Sequence, residues 1–214
     1  MERVKNEISQ INADIDVIIR NFDLTDIHEI PALYNSFKEY RIETLINNAG
    51  FGLLENLKEH SLERVENMIK LNIEALTMLS ILYTKDYQDI EGSQLINIAS
   101  AAGYILAPSS VTYCATKFYV TSFTEGLAHE LKASNAKMQA KVLAPSATKT
   151  NFAKVALNSE EEINYDSGYF AVHNTSEEMA EFLYKLYESD KVVGFVDHIK
   201  LELELKDPVF ENLF

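Results

Sequence analysis

The chain has 214 residues, 47% hydrophobic and 24% charged, enough for one sizeable core in the common single-domain range. Its 19 Lys and Arg against 33 Asp and Glu leave a net charge of −14, which argues against a surface built to neutralise nucleic-acid or membrane phosphates. One cysteine, Cys114, rules out an internal disulfide or a cysteine-based zinc site and fits a reducing cytoplasm, and no run approaches the ~18 apolar residues of a membrane span.

In chain order, a short helix precedes Ile15-Asp16-Val17-Ile18-Ile19, which reads as a strand. Residues 26 to 39 read as a helix with Asp26 near its start, and Thr44 to Ile46 as a brief strand. Leu62 to Tyr83 is a long helix that sets Leu62, Val65, Ile69, Ile73 and Leu76 on one face, with Ser61 as its N-cap candidate. Leu95 to Ile98 is a buried strand, Tyr113 to Leu131 a second long helix, and Ala140 to Leu143 another strand. The charged run Asn158-Ser159-Glu160-Glu161-Glu162 makes residues 154 to 169 a loop. Thr175-Ser176-Glu177-Glu178 opens a helix that runs to Tyr187, and Lys191 to Val196 is the last buried strand. Lys200 to Lys206 alternates strictly and reads as an edge strand with one apolar face. Strand and helix alternate throughout, so the fold class is α/β, a parallel sheet with helices on both faces, in one domain over residues 1–214.

The chemistry concentrates at Tyr113-Cys114-Ala115-Thr116-Lys117. Positions i and i+4 share a helix face, so the Lys117 ammonium lies near the Tyr113 phenol and is expected to pull its pKa below about 10. Tyr34/Lys38 and Tyr187/Lys191 repeat the spacing, where plain helix surface is the simpler reading. Tyr113 differs in its company: Ser100 closes the strand before it, and the small-residue loop Ala101-Ala102-Gly103 leads on to the helix. Taken singly, Asn72 reads equally as a helix residue satisfied by backbone, Ser100 as a cap, and Asp23-Leu24-Thr25-Asp26 as an N-cap. No metal site is expected, since neither His28-Glu29 nor His129-Glu130 is completed to His-Glu-x-x-His, and no Gly-x-Ser-x-Gly surrounds Ser100.

These residues together resemble the short-chain dehydrogenase/reductase family. Asn47-Asn48-Ala49-Gly50 is similar to the family's Asn-Asn-Ala-Gly after its fourth strand, and Asn72 falls where that family carries an active-site asparagine. Ser100, Tyr113 and Lys117 complete the tetrad. Asp23 and Leu24 lie in a segment similar to the one that contacts the adenine ring. Pro145-Ser146-Ala147-Thr148-Lys149-Thr150 looks like the stretch that holds the nicotinamide, with Ser146 in place of a glycine. The resemblance implies a catalytic tetrad of Asn72, Ser100, Tyr113 and Lys117, with Ser100 and Tyr113 on the substrate oxygen and Asn72 holding a water that links Lys117 to solvent. It implies cofactor contacts from Asp23, Leu24, Asn48, Ala49, Gly50, Tyr113, Lys117, Pro145, Ser146, Thr148 and Thr150. It makes residues 154 to 169 a substrate-covering lid, while their composition alone gives a solvated loop. It also implies a homodimer or homotetramer joined through the two long helices, and NADP(H) in preference to NAD(H).

The family opens with a strand, a glycine-rich turn, a helix and a second strand, and none of these is read in residues 1 to 20. Gly50-Phe51-Gly52 with Glu55 is no dinucleotide fingerprint. The Rossmann-like sheet is therefore expected to be incomplete at its N-terminal side, with Ile15 to Ile19 deprived of a pairing neighbour, the strand at residue 44 exposed at an edge, and cofactor binding weakened. The expected function is NAD(P)-dependent reduction of a small carbonyl, or oxidation of the matching alcohol. The alternative is a catalytically silent relative that serves as an interaction module.

Overall fold

The computed structural model describes residues 1–166 and 170–211. Five strands form one sheet in the order β1 (Thr44–Asn47), β2 (Gln94–Ile98), β3 (Gln139–Ala144), β4 (Val193–Val196) and β5 (Leu203–Lys206). The first four run parallel, and β5 returns antiparallel beside β4, as the alternation in the tail predicts. β2 and β3 are near-continuous apolar runs because helices cover both faces. Leu95, Ile96, Val142 and Leu143 are buried to 1% exposure or less.

Helices α3 (Leu62–Ile69), α4 (Leu76–Tyr87) and α5 (Val111–Ala133) are covalent or spatial neighbours, and α5 packs on β3 and β2. α7 (Ser176–Glu188) sends Leu186 against Ile96, Leu143 and Val196. It starts on a full capping box: Thr175 Oγ1 accepts from Glu178 N at 3.1 Å, and Glu178 Oε2 accepts from Thr175 N at 2.8 Å. α5 stops because Asn135 turns left-handed at φ 55°, which lets Ala136 N donate back to Leu131 O. At the far end of the sheet the buried Lys141 donates to the carbonyls of Leu186, Tyr187 and Ser189 at the end of α7. Burial pulls its ammonium down to about 8, while those carbonyls, at a helix C-terminus, favour the charged form.

Three sequence expectations are corrected. Ile15 to Ile19 is not a strand: its β-branched residues have no sheet neighbour, and Ile15 and Ile18 remain exposed. Residues 26 to 39 give only a 3-10 turn over Ile27–Glu29 and the short α2 (Ile30–Asn35), followed by turns, with Ile30 and Tyr34 buried. The long helix predicted from Leu62 to Tyr83 is interrupted by a π-helical segment at Lys70–Ala75. Leu62 and Ile69, which precede this segment, face solvent, while Met68, Asn72, Ala75, Leu76, Ser80 and Tyr83 are buried. α1 (Glu2–Ile11) buries no residue.

Because β1, β2 and β3 are parallel, their carboxyl ends open on one side of the sheet. A buried polar ladder holds those ends in register. Asn47 Nδ2 donates to Asn97 Oδ1 at 2.9 Å across β1 and β2, and Asn97 Nδ2 donates to Thr124 Oγ1 of α5 at 2.9 Å. β1 is the sheet's outer strand, and Ile46 on it is 44% exposed, in line with the expected edge. Among the described residues no helix is long and apolar enough to cross a membrane.

Candidate active site

The carboxyl ends of β1 to β3, the start of α5, α6 (Phe152–Ala156) and the first turns of α7 surround a cavity of about 1100 Å³. Ser100 leaves β2 in extended conformation and caps a 3-10 turn over Ala101–Gly103, with its Oγ accepting from Ala102 N at 3.1 Å. Ala101 N donates to Pro145 O at 2.7 Å, which joins the serine loop to the loop after β3. Behind the serine, Gly103 is pressed on α5. A Cβ there would meet Lys117 O and Thr121 Cγ2 at 2.7 Å, so only glycine lets the turn sit this close to the helix. Thr121 Oγ1 donates to Gly103 O at 3.0 Å, and the Tyr104 phenol donates to buried Glu125 at 2.5 Å. Lys117, Thr121 and Glu125 lie at intervals of four on one face of α5, so the face that carries Tyr113 and Lys117 also fixes the loop that carries Ser100.

Tyr113 lies in the first turn of α5, 7% exposed, in a cluster with Leu53 and Met68 and against the ring of Phe152 at 5.6 Å. Gly52 makes room for it, since a Cβ at that position would meet Phe152 Cζ at 2.9 Å and Tyr113 Cδ2 at 3.2 Å. Lys117 Nζ is 5.9 Å from the centroid of the Tyr113 ring and donates to Ile98 O at 2.9 Å. Burial alone lowers its ammonium from 10.5 to about 8.

Asn72 sits in the π-helical segment, 1% exposed. Its amide grips the backbone of Phe51 twice: Oδ1 accepts from Phe51 N at 3.1 Å, and Nδ2 donates to Phe51 O at 2.9 Å and to Thr116 Oγ1 at 3.1 Å. Gly50 lies between Asn72 and Lys117, where a Cβ would meet Asn72 Oδ1 at 2.9 Å and Lys117 Nζ at 3.6 Å. Asn72, Gly50 and Lys117 are thus brought together from three separate elements.

Of the residues picked out in the sequence, Ser100, Tyr113, Lys117, Asn48, Gly50, Pro145, Ser146, Thr148 and Thr150 all line the cavity. Ser146 Oγ donates to Asn174 Oδ1 at 2.9 Å, and Thr148 Oγ1 donates back to Ser146 O at 3.0 Å, so this loop is braced internally. Asn72, Ala49, Asp23 and Leu24 are not among the lining residues. Asp23 is an exposed turn carboxylate whose Oδ1 accepts from Thr25 N and Oγ1, and these bonds lower its pKa. The expected loop at 154 to 169 begins inside α6, and residues 167 to 169 lie outside the described residues. α6 is pinned in place: Leu54 N donates to Ala156 O at 3.1 Å, and Arg64 Nη2 to Val155 O at 2.9 Å. The walls supplied by Leu54, Phe152, Val172 and α7 were not foreseen, because they come from residues far apart in sequence with no local spacing to betray them.

A mostly parallel sheet flanked by helices, with a cavity at the carboxyl ends of its strands, is a Rossmann-like arrangement. The chain belongs to the short-chain dehydrogenase family, whose model matches residues 1–161. It is 32% identical to an uncharacterized oxidoreductase of Staphylococcus saprophyticus over 155 residues, 70% of this chain and 61% of that protein. It is 34% identical to dehydrogenase/reductase SDR family member 11 of Gallus gallus over 140 residues, 61% of this chain and 54% of that protein. The matches therefore span less than two thirds of the length of these curated relatives. A short-chain dehydrogenase from Sphingobium yanoikuyae, solved in complex with NADPH, shares the fold with a TM-score of 0.79 at 23% identity, covering 91% of this chain and 72% of that one.

Proposed function

We propose that this chain is an NAD(P)-dependent oxidoreductase that reduces a small carbonyl compound or oxidises the matching alcohol. What carries this reading is that Ser100, Tyr113 and Lys117 line one cavity, with Lys117 buried beside the tyrosine ring. An ammonium has three N–H donors and Ile98 takes one, so two remain for the hydroxyls of a nicotinamide ribose. Asn48, Gly50, Pro145, Ser146, Thr148 and Thr150 would flank the ring and its ribose. The pyrophosphate end fits less well. Lys117 and His198 are the only lining residues among those described that can carry positive charge, and no glycine-rich turn borders the cavity, which supports weak binding. Asp23 and Leu24 as adenine contacts, and Ala49, stay part of the proposal without support from the cavity lining.

A bound nicotinamide supplies or accepts the hydride. Ser100 Oγ would hold the substrate oxygen, and the Tyr113 phenol would give it a proton as negative charge builds there. The Lys117 charge beside the ring favours the phenolate left behind, and in the reverse direction that phenolate takes the alcohol proton. Asn72 has three amide bonds made and keeps one Oδ1 acceptor position, close to Lys117, for a water on the way to solvent.

NADP(H) is proposed in preference to NAD(H), in a single domain over residues 1–214 and in the cytoplasm. Thermal unfolding tests cofactor binding: NADPH in excess should raise the midpoint by a few degrees, and NADH by less. No rise with either would favour the second reading, a silent relative acting as an interaction module, to which the exposed Ile46 on edge strand β1 lends support. Pairing of copies through α3–α4 and α5 is also proposed, supported by exposed Ile69, Ile81 and Tyr119. Light scattering should then give a dimer or tetramer mass, and a monomer at high concentration would refute pairing.

A further inference from the structure

Part of the cavity that Ser100 and Tyr113 line is apolar. Leu54, Ile105, Ala107, Phe152, Ala153 and Val172 line it, drawn from the loop after β1, the loop before α5, α6 and the approach to α7. Two hydrogen bonds hold α6 on the loop after β1 and on α3, so the Phe152 face is a fixed part of the site. Ser110, 3% exposed at the start of α5, is an uncharged polar residue of the lining.

Charge is scarce here. Among the described residues lining the cavity, only Lys117 and His198 can carry a positive charge and none carries a negative one. Lys117 donates to the Ile98 carbonyl, and its two remaining donors are those proposed for the nicotinamide ribose. His198 lines the cavity from the segment that joins β4 to β5. A carboxylate or phosphate seated against this wall would lose its water without gaining a cation, whereas an alkyl or aryl flank gains by burial.

We infer that the substrate is a neutral carbonyl compound or secondary alcohol with an apolar flank, and that keto acids, sugar phosphates and other anionic substrates are rejected. This rests on the oxidoreductase reading for the reaction but not for the binding preference. An isosteric pair tests it: octan-2-one and 7-oxooctanoate, which differ by a terminal carboxylate. The protein with NADPH is titrated with each, binding is read by calorimetry and turnover by NADPH consumption. Octan-2-one should bind at least about tenfold more tightly. Ile105→Arg, which places a cation on a partly exposed part of the wall, should narrow or invert that ratio. Equal or tighter binding of 7-oxooctanoate by the natural chain, or binding of neither ketone, would overturn the inference. Preferential binding of octan-2-one without NADPH consumption would uphold the inference while removing the hydride reading.

Discussion

Tyr113→Phe is expected to lower carbonyl reduction by about 10²- to 10⁴-fold while leaving the thermal shift produced by NADPH unchanged. The substitution removes the hydroxyl, while the ring keeps its packing on Leu53, Met68 and Phe152, and Lys117 keeps its bond to Ile98. Proton transfer to the substrate oxygen is lost, whereas the ribose contacts proposed for Lys117 and the loop after β3 survive. Steady-state rates with a neutral ketone, measured beside unfolding midpoints with and without NADPH, check both halves. Undiminished turnover in the variant would take the proton-donor role from Tyr113.

Lys117→Met should separate function from stability. The ammonium is 6% exposed, has no carboxylate partner among the described residues, and is held down to about 8 by burial alone. A displacement of that size from 10.5 corresponds to a penalty of roughly 3 kcal/mol on the charged form. Methionine fills similar volume without the charge, at the cost of the Ile98 bond, so the variant should be more stable at pH 7 by about 1 to 3 kcal/mol and inactive. The sign of the pH dependence follows from the lowered value. Between about pH 8 and 10.5 the unfolded chain binds a proton at this lysine that the folded chain has released, so the natural protein gains stability as pH rises through that window. The advantage of the variant should be largest below pH 8 and shrink above it. Denaturant unfolding of both proteins across pH 7 to 10.5 checks this, and a variant less stable at pH 7 would mean that Lys117 is satisfied in a way that burial does not reveal.

The parts of this molecule that a sequence discloses are those decided by local spacing. Tyr113 and Lys117 share a helix face at any i, i+4 spacing, Ser100 ends an apolar strand, and Thr175 with Glu178 forms a cap within four residues. Each could be read because its partners are near in sequence. The misread parts depended on distant neighbours. Ile15 to Ile19 has the composition of a strand, but a strand exists only when paired, and among the described residues it pairs with none. The π-helical segment at Lys70–Ala75 interrupts the long helix, and Asn72 within it faces inward onto Phe51, a contact that no periodicity in residues 62 to 83 announces. The cavity wall likewise joins Leu54 to Ala156 through one backbone bond between segments a hundred residues apart.

That a serine and a tyrosine address one reacting oxygen beside a buried lysine can be tested directly by a crystal structure of the protein with NADP and a neutral, apolar secondary alcohol. The alcohol oxygen should lie within about 3 Å of both Ser100 Oγ and the Tyr113 hydroxyl, with Lys117 Nζ on the cofactor ribose. An alcohol whose oxygen binds away from these two hydroxyls, or a ribose held by other residues, would contradict the account.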